Sequence, residues 1–294
     1  MRIGFHVSID GGFRKTVRKA VQYHCTALQV FTSAPVQWQR APMDPEEAAW
    51  FAEESRRLDI QPLFVHAIYL LNLASDDKAL WRKSRDHLAE ELRRAALIGA
   101  AGVVFHLGTV GPEGDVVAGR KRVVQALDHI LVRDKSGLNL ILEHSASHKQ
   151  VVGSRMEDVG EMIAAAEHRD RLRVCIDTAH AFAHGYPVHT PEGLAETLDT
   201  MDRCFGLDRI VLIHANDSRY EFGLGMDRHW HIGKGYIGTA GFGVIMNEPR
   251  LRHLPFIMET PDPDEWGARN MRAIRRVIEK ECRPQLRRVP AQCR

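Results

Sequence analysis

The stretch Val174-Cys175-Ile176-Asp177 is a short apolar run that ends in a side chain able to bind a metal ion. Five further runs end in the same way: LFVH at 63–66, VVFH at 103–106, LILE at 140–143, VLIH at 211–214 and FIME at 256–259. A buried parallel strand is typically a continuous run of apolar residues. In a parallel β/α barrel the chemistry gathers where such strands end. The six runs therefore predict one shared site at a common edge.

Two more runs, RIGFH at 2–6 and ALQVF at 27–31, bring the number of candidate strands to eight. Between about 25 and 45 residues separate successive run ends, which is enough for a loop, a helix and a return turn. The fold class that this pattern predicts is α/β, as a single eight-stranded parallel β/α (TIM) barrel. We expect residues 1–279 to form the barrel catalytic domain and residues 280–294 to be a basic C-terminal tail.

Helix signals lie between these runs. Asp44-Pro45-Glu46 and Thr190-Pro191-Glu192 each combine a capping oxygen with a proline suited to the first helical position. Apolar residues at helical spacing, such as Leu88, Leu92, Ala95 and Ala96, predict the face that packs on the outside of the barrel.

Composition limits the class of protein. With 44% hydrophobic and 27% charged residues, the chain resembles a soluble globular protein. Its five cysteines are an odd number without a CxxC motif, which argues against a disulfide framework or thiolate zinc and for a reducing compartment. We expect a cytoplasmic protein with no signal peptide and no membrane span. The formal net charge of +2 does not identify a partner.

The candidate ligands number nine when two short motifs are added. His180 follows Asp177 by three residues, and Asp227-Arg228-His229 puts two ligand types on one side of an extended segment. Nine ligands are too many for one tetrahedral zinc, but a carboxylate can bridge, so three cations match the count. The mixture of imidazoles and carboxylates favours Zn²⁺, with Mn²⁺ as an option at one or more sites.

Three longer segments carry a family resemblance. CIDTAHAFAHGY at 175–186, HANDSRYEFGLGMDRHWHIGKGYIG at 214–238 and METPDP at 258–263 resemble the endonuclease IV family of apurinic/apyrimidinic endonucleases, in the xylose-isomerase-like superfamily. The correspondence runs from about residue 2 to residue 266. The resemblance implies a barrel with a trinuclear zinc cluster that incises double-stranded DNA on the 5′ side of an abasic site. The expected products carry a 3′-hydroxyl and a 5′-deoxyribose phosphate.

The resemblance also assigns the ligands position by position. It implies that Glu143 bridges two zinc ions, and that Glu143, Asp177 and Glu259 are the catalytic carboxylates. The three implied groups are His66, His106 and Glu143; Glu143, Asp177, His214 and Glu259; and His180, Asp227 and His229.

The expected chemistry follows from charge. Three Zn²⁺ carry +6 and the four carboxylates −4, so the cluster stays positive and attracts a phosphodiester. Zinc lowers the pKa of bound water to about 7, and we expect a metal-bound hydroxide to attack in line. The glycine pairs at 11–13 and 223–225 lack the spacing of a phosphate loop, so no nucleotide cofactor is predicted. A monomer is expected on family grounds.

Lesion recognition is expected in the loops at 32–43 and 66–73, which in the family enter the minor groove. The candidate DNA contacts are Gln37, Trp38, Arg40, Tyr69, Leu70 and Lys234. For each aromatic or leucine, packing against the barrel is the alternative, which we favour for Trp38. The chain departs from the family pattern at Val36, Ala67, His144 and Lys234.

Residues near the ligands have expected supporting roles. His6 is interpreted as pocket lining that orients a neighbour, and His144 as filling space behind the ligands. Asn216 and Asp217 are expected to orient the His214 imidazole or the loop. For His184, His189 and His231 we favour solvated or capping roles.

Two other functions remain open. A sugar isomerase or epimerase of the same superfamily would need only Glu143, Asp177, His214 and Glu259. It has no use for the triad of His180, Asp227 and His229. A catalytically weak DNA-binding relative with altered lesion recognition is the other alternative.

Overall fold

Eight parallel strands close into a barrel in this protein, of which a computed structural model describes residues 1–147 and 150–278. The barrel strands are β1 (Arg2–Val7), β2 (Ala27–Val30), β3 (Leu63–His66), β4 (Gly102–His106), β5 (Asn139–Glu143), β6 (Leu172–Asp177), β7 (Ile210–His214) and β10 (Pro255–Met258). Two short strands, β8 (Asp217–Ser218) and β9 (His229–Trp230), pair antiparallel between β7 and β10.

Helices follow the strands in chain order. They are α1 (Phe13–Gln22), α2 (Pro45–Arg57), α3 (Lys78–Leu97), α4 (Val116–Leu131), α5 (Met156–Ala165), α6 (Thr178–His184), α7 (Pro191–Phe205), α8 (Gly238–Asn247) and α9 (Pro263–Val277). The predicted helix starts are confirmed. The Asp44 carboxylate accepts a hydrogen bond from the Glu46 N–H at 2.9 Å, and the Thr190 hydroxyl accepts one from Gly193 at 3.1 Å.

The strand order around the ring is β1-β10-β7-β6-β5-β4-β3-β2, so each barrel strand pairs with its neighbours in sequence and the last strand pairs with the first. This order confirms the predicted α/β barrel. The register brings ligand candidates side by side, because His106 is paired with Glu143 and Asp177 is paired with His214.

The inside of the barrel is a layer of apolar side chains. It consists of Ala27, Phe64, Val104, Ile141, Cys175, Leu212 and Ile257. Because side chains alternate along a strand, the residue two positions further on points to the same interior. Those seven positions, together with His6, which is two positions after Gly4 of β1, form one rim layer: His6, Gln29, His66, His106, Glu143, Asp177, His214 and Glu259.

A larger apolar core lies between the barrel and its helices. On α3, Leu88, Leu92 and Ala95 are buried, as predicted, whereas Ala96 is exposed and that part of the prediction was wrong. Residue 96 is about 100° further round the helix than residue 95, which turns it towards solvent.

Within the described ranges, none of the helices has both the length and the apolar character that crossing a membrane would require. Cys25, Cys175 and Cys204 are free thiols. The basic tail predicted at 280–294 lies outside the described residues.

Candidate metal centre

The first group of ligand candidates lies where β3, β4 and β5 end. Nε2 of His66 is 3.0 Å from Oε2 of Glu143, and Nε2 of His106 is 3.6 Å from the same oxygen. Glu143 is fully buried, and ligand atoms of the three residues lie within 4.8 Å of one another. Two imidazole nitrogens therefore converge on one carboxylate oxygen.

The second group uses the other oxygen of Glu143. Nδ1 of His214 is 2.9 Å from Glu143 Oε1 and 3.4 Å from Glu259 Oε2. Asp177 completes this group, with Oδ2 at 3.9 Å from the same nitrogen of His214. Glu143 thus contributes one oxygen to each of two adjacent groups, which is the geometry of a bridging carboxylate.

The third group joins helix α6 to the segment between β8 and β9. Nε2 of His180 lies 3.2 Å from Asp227 Oδ2, and Nε2 of His229 lies 3.5 Å from Asp227 Oδ1. Asp177 is also close, because its Oδ2 is 3.4 Å from His229 Nε2. His180 is held there by its position in the first turn of α6, where Asp177 caps the helix through the N–H groups of Ala179 and His180.

Main-chain oxygens orient two of the imidazoles. Nδ1 of His66 donates to the Ala67 carbonyl at 2.6 Å, and Nδ1 of His180 donates to the His144 carbonyl at 2.9 Å. The opposite nitrogen of each ring faces the carboxylates. This arrangement fixes the tautomer of a metal-binding histidine.

Attraction between the carboxylates and the imidazoles determines the pKa values in the centre. Burial alone would raise the pKa of Glu143, but His106 and His214 beside it hold that pKa well below its ordinary value. Partial desolvation opposes the charge on Asp227, whose side chain is 53% exposed, yet His180 keeps the Asp227 pKa low. The aspartates in turn hold the pKa of His180 well above its ordinary value although burial lowers it. Acids and imidazoles compensate each other here, as a bound cation would compensate the acids.

Comparisons with known proteins agree on the type of barrel. A family model described as a xylose isomerase-like TIM barrel matches residues 17–279. "Probable endonuclease 4" of Methanosphaerula palustris is 40% identical over 281 residues, which cover 94% of this chain and 98% of that protein. Endonuclease IV of Thermus thermophilus, a crystal structure, is 35% identical with a TM-score of 0.80 and covers 94% of this chain and 98% of its own.

The chain belongs to the endonuclease IV family. This confirms the resemblance carried by residues 175–186, 214–238 and 258–263, and the protein is an enzyme of the endonuclease IV type. A D-tagatose 3-epimerase-like protein is also similar, at 18% identity and a TM-score of 0.72, and it shares the fold alone.

Gln29 is the residue of this endonuclease IV centre that sequence reasoning missed. Its side-chain oxygen accepts from His214 Nε2 at 2.9 Å, and its side-chain nitrogen donates to Glu259 at 2.7 Å. The signal in the sequence was a polar residue in the middle of the apolar run ALQVF. His6 orients a neighbour as expected, because its Nδ1 is 2.9 Å from Glu259 Oε1.

The prediction that Asn216 and Asp217 orient the His214 imidazole or the loop is confirmed for Asp217, which orients the loop, whereas Asn216 contacts the carboxylate ligand candidates instead. Asn216 donates to Asp177 Oδ2 at 2.6 Å and accepts from the Glu259 N–H at 2.7 Å. The Asp217 carboxylate accepts hydrogen bonds from backbone N–H groups of the loop that follows β9, including those of Gly233 and Ile237. The first residue orients carboxylate ligands, and the second orients a loop.

Three neighbouring histidines pack on aromatic rings, and the expectation of a solvated or capping role was wrong for His231, whereas His189 is half-buried and the half-buried His184 is the last residue of α6. His231 is buried and stacks on Trp266 with ring centroids 3.9 Å apart. His184 stacks on Tyr186 at 5.2 Å, and the edge of His189 meets Phe182 at 5.0 Å.

The predicted recognition loop at 32–43 has both exposed and anchored residues. Val36 and Gln37 are exposed. Trp38 is half-buried with its ring edge-to-face against His87, which agrees with a packing role. Arg40 donates to the His87 carbonyl at 3.2 Å, so this loop is fastened to α3.

The second recognition loop lies beside the metal centre. Tyr69 is 52% exposed, and its ring packs against His66 and His106 with centroids 5.5 and 6.0 Å apart. Leu70 is partly buried against the core, and Ala67 is buried. Lys234 is exposed on the loop held by Asp217. Of the six candidate DNA contacts, Gln37, Tyr69 and Lys234 are exposed, whereas Trp38, Arg40 and Leu70 are half-buried.

Proposed function

We propose that this chain is a zinc-dependent DNA repair nuclease that cleaves the phosphodiester on the 5′ side of an abasic site. The products would carry a 3′-hydroxyl and a 5′-deoxyribose phosphate. The observation that supports the proposal most strongly is the convergence of His180 and His229 on Asp227. These residues extend the ligand set beyond what a sugar isomerase on this barrel would use, and the membership in the endonuclease IV family agrees with a phosphodiester substrate.

The donor set is suited to three Zn²⁺ ions. Imidazole nitrogens and carboxylate oxygens are the ligands that zinc accepts at about 2.0–2.2 Å. The buried Nε2 of His229 has no hydrogen-bond partner among the described residues and faces Asp177 and Asp227. The proposed ligand groups are His66, His106 and Glu143; Glu143, Asp177, His214 and Glu259; and His180, Asp227 and His229.

Bound zinc would supply Lewis-acid charge to the phosphate oxygens and a nucleophile at neutral pH from coordinated water. The protein keeps the four carboxylates in place. Glu143 is fully buried between the first two groups, so its negative charge is available to both. Gln29 and Asn216 fix Glu259 and Asp177, respectively, by hydrogen bonds, which limits the freedom of these two acids to rotate away.

The proposed substrate is duplex DNA that contains an abasic nucleotide. Tyr69 supports this choice, because an exposed aromatic ring within contact distance of His66 and His106 can stack on a base next to the reactive phosphate. Gln37 and Lys234 are exposed at the same end of the barrel, since both follow the carboxyl ends of strands.

Incision of a 5′-labelled abasic duplex tests the proposal. We expect a single cut at the lesion, loss of the cut after removal of metal with a chelator, and recovery with Zn²⁺ but not with Mg²⁺. Metal analysis should give three zinc ions per chain. Glu143→Gln should abolish the cut, and Glu53→Gln, at an exposed carboxylate on the outer helix α2, is the matched control.

The outcomes separate the candidate functions. Turnover of a ketose with one or two bound metals and an intact DNA strand would favour the isomerase. Three bound zinc ions with abasic DNA bound but uncut would favour the catalytically weak relative. An unchanged cutting rate in Glu143→Gln would remove the bridging role from that residue.

A further inference from the structure

The loop between β8 and β9, residues 219–228, exposes three large apolar side chains at alternating positions. Phe222 is 42%, Leu224 54% and Met226 45% exposed. Single exposed apolar residues are ordinary on a protein surface, but a contiguous group usually marks a binding surface. Folding alone therefore does not explain this group.

The loop is built to hold these side chains in place. The N–H of Gly223 donates to the Phe182 carbonyl at 3.2 Å, and the N–H of Gly225 donates to the Ala183 carbonyl at 2.8 Å. Both glycines have positive φ angles, 77° and 66°, which other residues rarely adopt. Phe222 packs edge-to-face on Phe182 at 5.2 Å. Leu224 and Met226 thus project from a fixed backbone.

The β8–β9 loop is directly connected to the metal centre. Asp227 immediately follows Met226, and helix α6, on which the loop is fastened, carries His180. In the eight-strand ring, β7, which leads into this loop, is opposite β3, which leads into the loop of Tyr69. Apolar side chains therefore flank the candidate metal centre from two opposite sides.

Charge around the loop suits a polyanion. Arg219, Arg228 and Lys234 are exposed, and the Arg219 guanidinium lies over the Trp230 ring at 4.8 Å. Apart from the ligand candidate Asp227, the loop has one acid, Glu221. An apolar tip between basic residues is the pattern of proteins that unstack a duplex while they hold its phosphates.

We propose that the β8–β9 loop is a second DNA wedge, whose Leu224 and Met226 enter the base stack beside the abasic nucleotide from the side opposite Tyr69. The inference rests on the proposed function, because it requires an abasic duplex at the metal centre. The missing base lowers the cost of entry, since stacking is already interrupted there. Two wedges on opposite sides would keep the flanking bases apart.

The test compares the double variant Leu224→Ala/Met226→Ala with the parent. We expect KM for the abasic duplex to rise about tenfold because apolar surface no longer leaves water on binding. The hydrolysis of bis(p-nitrophenyl) phosphate, which has no base stack, should be unchanged. With 2-aminopurine next to an uncleavable tetrahydrofuran lesion, the fluorescence increase on binding should be smaller for the variant. Val132→Ala is the control, an apolar residue that is 61% exposed at the opposite end of the barrel.

Each result bears on one of the two proposals. If the parent does not incise abasic DNA, the proposed function fails whatever the variant does. If the parent incises and the double variant has the same KM and the same fluorescence response, the wedge is wrong and the apolar group serves another partner, such as a protein. If the double variant lost bis(p-nitrophenyl) phosphate hydrolysis to the same extent as abasic-DNA incision, the loop would act on the metal centre. This result too would overturn the wedge.

Discussion

The side-chain oxygen of Gln29 lies 2.9 Å from Nε2 of His214, at the bottom of the candidate metal centre. Since an amide oxygen only accepts, this contact assigns the proton of His214 to Nε2 and leaves Nδ1 for a metal. The nitrogen of the same amide donates to Glu259 at 2.7 Å. One buried side chain thus orients two ligand candidates of the same group.

We predict that Gln29→Met weakens zinc binding by about 10–100-fold, because residues that orient metal ligands contribute on that scale. Methionine preserves the approximate length and volume but neither hydrogen bond. Competition with a fluorescent zinc chelator measures the affinity. Gln22→Met, at an exposed position at the end of α1, is the control. Equal affinities for all three proteins would show that the hydrogen bonds of Gln29 do not support the metal.

The barrel and the ligand candidates were predictable because both depend on local signals. An apolar run followed by His, Asp or Glu indicates both the strand and its end, and all eight runs are strands. Gln29 was missed although the polar residue is visible inside its apolar run, because its partners His214 and Glu259 come next to it only when the ring closes. The β8–β9 hairpin was missed because a strand of two residues has no periodicity. The role of Asp217 depends on N–H groups 16 to 21 residues away, which only the folded chain brings together.

His144 departs from the family pattern, but we expect its side chain to affect neither zinc binding nor incision. His180 is oriented by the main-chain carbonyl of His144, whereas the His144 ring packs edge-on against His180 with centroids 5.8 Å apart. We therefore expect His144→Asn to keep its zinc content and its incision rate within about twofold of the parent. Zinc analysis and the abasic-duplex assay measure both. A loss of zinc from the third group in this variant would instead assign the ring a direct role.

Lys234 is exposed on a loop that Asp217 fixes through its backbone N–H groups, so its ammonium is available to a phosphate. We expect Lys234→Glu to weaken DNA binding without changing the hydrolysis of a small diester. The slope of log affinity against log salt should become shallower by about 1, as expected when one phosphate is no longer neutralised. Lys135→Glu, exposed on the loop before β5, should keep the parental slope. Parental slopes in both variants would place Lys234 away from the bound DNA.

Gln37 and Trp38 are adjacent in sequence, but we expect only Trp38 to contribute to the stability of the fold. Gln37 is exposed, whereas Trp38 packs against His87 and lies under the Lys83 ammonium at 4.3 Å. We expect Trp38→Ala to lower the free energy of unfolding by about 2 kcal/mol, as for a partly buried aromatic ring. Gln37→Ala should leave that free energy unchanged. Urea unfolding of the two variants decides between these roles, and equal stabilities would refute the packing role of Trp38.

Burial lowers the pKa of His87 to about 4, and the nearby Arg40 and Arg94 act in the same direction. Glu91 Oε1 lies only 3.6 Å from His87 Nδ1, but Glu91 offers little compensation because burial raises the pKa of its carboxyl and so favours the neutral acid. The unfolded chain takes up a proton at this histidine below about pH 6.5, whereas the folded chain does so only near pH 4. Stability should therefore fall as the pH decreases across this window, by on the order of 2 kcal/mol for this site.

The variant His87→Phe removes that contribution while it keeps a ring against Trp38. We expect its melting temperature to fall less between about pH 7 and pH 4.5 than that of the parent. Calorimetric scans across this range measure the difference, and His253→Phe, at an exposed histidine, controls for the substitution itself. Superimposable pH profiles for the parent and His87→Phe would mean that His87 is protonated as easily in the folded chain as in the unfolded one. In that case a negative charge would have to stabilise the protonated His87 ring in the folded chain. Glu91, the nearest carboxylate, would supply that charge by being ionised.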